Sequence, residues 1–305
     1  MDGILNIVKP SGPTSHDVVA RLRRVLRMKR IGHAGTLDPA ASGVLLICLG
    51  KATRIVEYLM DQKKTYRAGV VFGVETDTED ASGKVVRERD PSTLTADDVK
   101  AVLPRFTGRI EQVPPMHSAL HYKGRRLYEI AREGRTVERP ARLVEVYSLD
   151  LVEFAPGVGA TAVLDVECSK GTYVRTLCAD IGRELGCGAH MSSLVRTRIG
   201  RFGIEEAASL ETIEEKAAEG RIEEVLDSID EALTDMPAVR VSDADALLLS
   251  NGVALSADRI LDDGGKLPVD VPLRVVAAEG RMIAIGRLSR RDDEEMVLKP
   301  EKVWG

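Results

Sequence analysis

Long apolar runs are missing from this chain of 305 residues: none reaches the roughly 18 residues that a membrane-crossing helix needs. Its opening residues, MDGILNIVKPSG, have neither the basic flank nor the apolar length of a signal peptide, so a cytoplasmic location is expected. Cysteine is scarce, and none of Cys48, Cys168, Cys178 and Cys187 stands in a CxxC pair. A cytosolic protein keeps such thiols reduced, which leaves packing as their role. CGAH spaces Cys187 and His190 like metal ligands, but no second pair completes a zinc site. There is no P-loop and no dinucleotide fingerprint, which argues against nucleotide and redox-carrier chemistry. The acidic stretch TDTEDASGKVV lacks the glycine and terminal glutamate positions of a calcium-binding loop and is expected to be a plain turn. Internal repeats and low-complexity tracts are absent.

The composition is that of a globular protein, 44% hydrophobic and 30% charged. A net charge of −5 argues at first against a polyanionic partner, but the charge is unevenly spread. Residues 1–67 carry 12 Lys/Arg against 5 Asp/Glu, residues 105–142 carry 9 against 4, and residues 168–203 carry 6 against 2. The balancing acid sits in 204–236, with 12 acidic against 2 basic residues. A polyanion responds to the local field, so three basic blocks on one face can bind it in spite of the overall sign.

Along the chain, GILNIVKP reads as a buried strand ended by Pro10, and SHDVVARLRRVLR as a helix capped by Ser15 with a stripe of Val18, Val19, Leu22, Val25 and Leu26. A glycine-rich loop follows, GHAGTLDPAASG, whose apolar tail GVLLICLG is compatible with either a buried strand or a buried helical segment. KTYRAGVVFGV alternates like a strand, and TADDVKAVLPRFTG reads as a helix stopped near Pro104. Residues 112–142 are basic, carry adjacent prolines, and mix His117, His121, Tyr122 and Tyr128 with five arginines before Pro140. That composition suits a segment gripping a nucleic-acid backbone and its bases. KGTYVRT opens a strand-to-helix passage with Arg175 at its centre, 204–236 reads as polar, acidic helices, and after Met236–Pro237 short strands suggest a small β-rich domain.

Three residues are candidates for one site: Asp38, the single acid of the Gly-rich loop, Tyr66 in KKTYRAG, and Arg175. Spacing alone does not bring them together, and each has an ordinary structural reading as turn residue, packed strand tyrosine or paired arginine. The longer motifs do more. LNIVKPSGPTSHDVV, GHAGTLDPAASGVLLICLG, KTYRAGVVFGVETDTEDASG and CSKGTYVRTLCADIGRELGCGAH, in this order, resemble the TruB family of tRNA pseudouridine synthases. The resemblance runs from about Gly3 to Phe202 and weakens towards the C-terminus. It fits the bacterial form best, since the first motif starts at residue 3.

The resemblance implies an isomerase of the T-loop uridine of tRNA, position 55, with no metal or cofactor. It also implies an α+β fold: a catalytic domain over 1–236 built on a mixed, largely antiparallel sheet, with an RNA-gripping insertion over 112–142. A small PUA-like RNA-binding β-barrel would occupy 237–305. Asp38 matches the catalytic aspartate, Tyr66 the tyrosine stacking on the target base, Arg175 the arginine paired with the carboxylate, and Leu194 an apolar wall. His33 matches a T-loop contact, and Lys9 with Pro10 a motif supporting the active-site loop. Lys9 is grouped with the RNA-binding candidates Lys123, Arg125, Arg126, Arg139, Arg142, Lys170 and Tyr173. Ala40, Ser42 and Leu46 depart from the commonest pattern, where Leu, Thr and Pro stand. The glycines are expected to let the loop pass close to RNA. A monomer acting without an obligatory protein partner, and away from membranes, is expected. Two alternatives stand beside this: an RNA-folding factor that grips tRNA without needing the reaction, and the RNA-guided relative that works inside a ribonucleoprotein.

Overall fold

This computed structural model describes residues 1–118, 120–261, 268–290 and 295–304. The chain starts with β1 (Gly3–Lys9), α1 (Ser15–Val25), β2 (Ile31–His33) and β3 (Ser42–Leu49). A 3₁₀ turn over Gly50–Ile55 leads into α2 (Val56–Asp61), then β4 (Lys64–Phe72). β5 (Val74–Thr76) and β6 (Val85–Glu88) form a hairpin, followed by α3 (Ala96–Val102) and β7 (Gly108–Gln112). A two-residue-per-strand hairpin, β8 (His121–Tyr122) with β9 (Arg125–Arg126), precedes α4 (Leu127–Arg132). Next come β10 (Arg142–Ala155), β11 (Thr161–Cys168), α5 (Val174–Glu184), β12 (Ala189–Ile199), β13 (Phe202–Gly203) and α6 (Leu210–Ala218).

The main sheet runs β1-β3-β12-β4-β11-β10-β7, with β2 added to β3 and β13 to β12. All its pairings are antiparallel except β3 with β12, which is parallel and holds for only two residue pairs, Val195↔Ser42 and Arg196↔Gly43. The sheet therefore opens at its middle, where the chain between β2 and β3 can lie across it. The apolar tail of the Gly-rich loop is strand β3, buried from Gly43 to Leu49 and bounded by glycines of positive φ at 43 and 50. On one face α5 buries Leu177, Cys178 and Ile181 against Val70, Leu164 and Val166. Each such leucine or isoleucine contributes about 1.5–3 kcal/mol by leaving water.

Helix α1 is capped by Thr14, one residue earlier than the sequence suggests. Thr14 Oγ1 accepts from the Asp17 amide at 3.1 Å, and the Asp17 carboxylate accepts from the Thr14 amide at 2.8 Å, a reciprocal capping box. Ser15 is buried and bonded elsewhere, as described below. The acidic 204–236 stretch holds one α-helix, α6, with short 3₁₀ turns rather than several helices. It covers β1, an edge strand. The Ile4 amide donates to the Asp227 carbonyl and the Val8 amide to the Ala208 carbonyl, both at 2.9 Å, so the open edge is paired. Its acid also meets the arginine face of α1, where Arg21 donates to both oxygens of Glu214 at 2.6 and 2.8 Å.

The C-terminal part has β14 (Ala238–Val241), α7 (Asp243–Ser250), β15 (Leu255–Ser256), β16 (Pro272–Ala277), β17 (Met282–Arg290) and β18 (Met296–Val303). They form a second sheet, β14-β16-β17-β18-β15, over its own core of Val241, Leu249, Leu273, Val275 and Leu298. Met282 and Ile285 join a cluster with Ile4, Val44, Ile55 and Phe202 of the first part. Arg54 donating to the Val303 carbonyl at 2.8 Å and Arg274 paired with Asp230 at 2.8 Å tie the two sheets together. The architecture is the α+β arrangement that the resemblance implied, a mixed, largely antiparallel sheet with a small β-rich PUA-like part. No helix among the described residues is long and apolar enough to cross a membrane.

Candidate active site

The Gly-rich loop between β2 and β3 is laced down by the first motif of the chain. Ser15 Oγ accepts from the Leu37 amide at 3.0 Å and donates to the Leu37 carbonyl at 3.3 Å. The Gly12 amide donates to the Pro39 carbonyl at 2.8 Å and Ser11 Oγ to the Ala40 carbonyl at 3.0 Å. Lys9 completes the lacing. Its side chain is fully buried, and the ammonium donates to the carbonyls of Pro10, Pro13 and Pro39 at 2.8, 2.8 and 3.2 Å. Grouping Lys9 with the RNA contacts is therefore corrected: a buried ammonium bound to three carbonyls supports the loop and does not reach a phosphate. Burial pushes its pKa down, with the nearby Asp38 carboxylate opposing that shift.

Asp38 crowns this loop and is 46% exposed, against 8% for its partner Arg175. The guanidinium comes from the first turn of α5 and divides its donors three ways. Nη2 lies 3.2 Å from Asp38 Oδ2 and donates to the His117 carbonyl at 2.8 Å, while Nη1 bonds Asp80 Oδ2 at 3.2 Å. Asp80 belongs to the acidic stretch expected to be a plain turn. It is a turn, docked on β12 by the Ala81 amide donating to the Met191 carbonyl at 2.9 Å, but it also carries Arg175's second carboxylate. Burial pushes the Asp80 carboxyl up. Bonds from Ser82 and Thr78, with the charge of Arg175, outweigh that and hold it below the usual carboxylate range. Gln112 fixes the start of α5 by accepting from the Tyr173 amide at 2.7 Å and donating to the Tyr173 carbonyl at 3.0 Å.

Asp38, Tyr66, Tyr173, Arg175 and Leu194 line one cavity of about 120 Å³, closed on a further side by Met191. Five separately chosen residues thus meet in one place, though their positions span most of the first part of the chain. Tyr66 is on β4 and Leu194 on the neighbouring β12, so the sheet's middle strands form the floor while the Asp38 loop and α5 form the walls. Burial raises the pKa of the Tyr66 hydroxyl, and the charge and hydrogen bond of Arg196 act against it.

Apart from Tyr173, the RNA-contact candidates do not line this cavity. His33 on β2 meets His16 edge-on, ring centroids 5.3 Å apart, with burial lowering its pKa. Lys123, Arg125 and Arg126 belong to the β8–β9 hairpin, Arg125 paired with Glu133; Arg139 donates to the Pro114 carbonyl at 3.0 Å, and Arg142 begins β10 exposed. Lys170 pairs with Asp61 at 2.5 Å on the turn before α5. These exposed ion pairs contribute about 0–1 kcal/mol each.

Two functional candidates escaped the sequence reading. Asp80 stood in an acidic turn that gave no sign of a buried partner. Arg196 lay unnoticed in the basic block of 168–203, yet it is 1% exposed and hydrogen-bonds both limbs of the Asp38 loop. The structure adds a reason for two of the loop glycines: Gly35 and Gly43, both at positive φ, lie against Arg196, Gly43 against its backbone.

Comparison with known proteins adds an independent line. A family model described as "TruB family pseudouridylate synthase (N terminal domain)" matches residues 23–174, and one described as "tRNA pseudouridylate synthase B C-terminal domain" matches 175–234. A tRNA pseudouridine synthase B from Pelotomaculum thermopropionicum is 42% identical, covering 98% of this chain and 96% of its own. One from Symbiobacterium thermophilum is 52% identical over 83% of each chain. Among solved structures, a Cbf5–Nop10–Gar1 complex aligns with TM-score 0.78 and 28% identity over 99% of this chain and 84% of that one. An H/ACA ribonucleoprotein bound to a substrate RNA containing 2′-deoxyuridine aligns with TM-score 0.77 and 26% identity, over 99% and 85%.

Proposed function

The chain belongs to the TruB family of pseudouridylate synthases, and from that premise we propose that it converts the T-loop uridine of tRNA, position 55, to pseudouridine. The observation that supports this site most is the Asp38–Arg175 pair at the mouth of a cavity that Tyr66 and Leu194 line. One half-exposed carboxylate, oriented by a buried guanidinium and facing an aromatic ring, is what a single-acid isomerisation of a flipped base needs.

The reaction breaks the C1′–N1 bond, forms C1′–C5, removes the proton on C5 and places one on N1. Atoms balance without a redox carrier. The target base is stacked in the folded T-loop and must be flipped out to react. Tyr66 receives its face, with Leu194 as the opposing wall. Asp38 is the group that reacts with the ribose, as nucleophile at C1′ or base at C2′. Arg175 fixes the direction of that carboxylate through its second anchor on Asp80. The apolar lining of Met191, Val174 and Leu194 excludes water that would hydrolyse a cleaved intermediate. Tyr66's hydroxyl is the candidate to help remove the C5 proton.

In this reading residues 1–236 act as the catalytic domain and 237–305 as a PUA-like RNA-binding domain, with 112–142 closing over the T-arm. That last segment meets the site directly, since the His117 carbonyl is held by Arg175. Lys123, Arg125, Arg126, Arg139, Arg142, Lys170, Tyr173 and His33 serve as contacts to the RNA. The enzyme works in the cytoplasm as a monomer without a protein partner or guide. The test is pseudouridine formation on a bare T-arm stem-loop with no added protein or guide RNA. Turnover is expected, with binding that weakens steeply as salt rises because phosphate contacts release counterions. No turnover until another protein or a guide is supplied would overturn the reading.

A further inference from the structure

Four of the buried charged side chains are cations, Lys9, Lys64, Arg175 and Arg196, and they gather behind the Asp38–Tyr66 site. Three have evident partners: Lys9 holds the loop carbonyls, Lys64 donates to the Met60 and Gln62 carbonyls, and Arg175 meets two carboxylates. Arg196, like the two lysines, is held by carbonyls rather than by a carboxylate. It is more deeply buried than Arg175, yet among the described residues no carboxylate lies within ion-pair distance of it. A buried cation without a counter-ion carries a heavy desolvation cost, and its place in a fold calls for another reason.

The geometry supplies one. Arg196 Nε donates to the Val44 carbonyl at 2.7 Å and Nη2 to the Gly35 carbonyl at 3.0 Å, so one guanidinium spans the two limbs of the loop between which Asp38 lies. The loop also meets the backbone of residue 196 closely: Gly43, at φ +103°, pairs with it in the sheet, and a Cβ there would stand 2.2 Å from the Arg196 carbonyl oxygen. Across the sheet, Arg196 on β12 is the register partner of Tyr66 on β4. A planar fork with several donors in fixed directions suits this task, whereas an ammonium on a flexible stem does not.

We infer that Arg196 is a positioning residue of the isomerisation, fastening the loop that carries Asp38 to β12, the strand paired with the Tyr66 strand, so that carboxylate and phenol keep one separation across the cavity. This rests on the proposed reaction at that cavity. A loop released from this clamp still folds against Lys9 and Ser15, but its acid wanders from the reacting position, and a displacement near 1 Å costs about 10²-fold in rate. Arg196 also biases its register partner. The groups acting on the Tyr66 hydroxyl are Arg196, Cys168 and Asp38; burial, the cysteine and the carboxylate all raise its pKa, and Arg196 alone lowers it.

The experiment compares wild type, Arg196→Met and Arg196→Lys as full-length proteins on a T-arm stem-loop carrying 5-³H-uridine. Single-turnover tritium release, stem-loop Kd and thermal unfolding are measured together. Release is expected to fall about 10²-fold in Arg196→Met and at least about 10-fold in Arg196→Lys, with Kd within about threefold of wild type. The ultraviolet titration of Tyr66, isolated by difference against Tyr66→Phe, is expected to move to higher pH in Arg196→Met. That shift reports the nearness of the Arg196 charge to Tyr66, while the fall in rate at unchanged Kd is the readout a merely structural arginine would not give. Should Arg196→Met fail to fold, Arg196→Lys, which keeps a buried cation, carries the rate and Kd test. Release within about threefold of wild type in the folded variants, a Kd loss as large as the rate loss, or an unmoved Tyr66 titration in Arg196→Met would overturn the inference. Wild type that releases no tritium would instead defeat the proposed function itself.

Discussion

Asp38→Asn is expected to stop pseudouridine formation, lowering the single-turnover rate on the order of 10⁴-fold or more, while T-arm binding stays within about threefold. Asparagine has the same shape and still accepts a hydrogen bond from Arg175, but it offers no carboxylate to the ribose. The fold does not depend on that carboxylate. The loop is held through backbone groups, with the Ala41 amide on the Asp38 carbonyl at 3.0 Å and Ser15 on Leu37. Arg175 keeps its bonds to Asp80 and His117. Because Asp38 is 46% exposed, losing its charge should change stability by less than about 1 kcal/mol, as for other solvated pairs. Rate and binding therefore separate cleanly. A protein whose use of tRNA lies in gripping and folding it would keep that activity in this variant, so the same protein also measures how much of its role is chemistry. Substantial turnover by Asp38→Asn would remove Asp38 from the reaction.

Arg175→Met should have the next largest effect, a fall of about 10²–10³-fold in the single-turnover rate, in the range seen on removing one preorganised electrostatic donor. It should also destabilise the protein, which Asp38→Asn does not. Arg175 is 8% exposed and Asp80 16%, so methionine leaves a mostly buried carboxylate without its cation. Asp80 retains the Ser82 amide at 2.9 Å and Thr78 Oγ1 at 2.7 Å, which limits the loss. The pH dependence follows from the sign of its shift. The Asp80 pKa is held below the ordinary 3.8, so its contribution to stability is full above that value and disappears as pH falls through the lower folded one. Without Arg175 the folded pKa rises, and the acid-side loss begins at higher pH. Urea unfolding across pH 3–6 would follow this, and Asp80→Asn, keeping Arg175 on Asp38, should lose less activity than Arg175→Met. Equal stability of Arg175→Met and wild type at neutral pH would contradict the bridging role.

The reacting residues were legible because each sits in a motif whose neighbours are unusual: glycines and one acid around Asp38, a Lys-Gly turn before Arg175. Their supports were not, and the reason is physical. Lys9 was matched through the resemblance to a loop-supporting motif yet also grouped with the RNA contacts, since nothing in VKPSGP itself announces three carbonyls converging on one ammonium. Asp80 sits among acidic neighbours in a turn, where one buried carboxylate reads like a solvated one. Arg196 bonds residues 152 and 161 positions away, and no local periodicity reports such a contact. Strand β3 was ambiguous for a related reason: buried on both faces, GVLLICL has no alternation to separate strand from helix, and only pairing with β1 and β2 decides it. At the start of α1, Thr14 and Ser15 are both good caps. Thr14 won because Ser15 was drawn inward to Leu37, a tertiary bond overriding a local preference.

The most direct measurement is tritium release from a full tRNA transcript labelled with 5-³H-uridine, set against the same transcript with cytidine in place of the T-loop uridine at position 55. One tritium released per transcript from the first and none from the second is the expected result. Equal release from both would contradict the assignment of this cavity to the T-loop uridine.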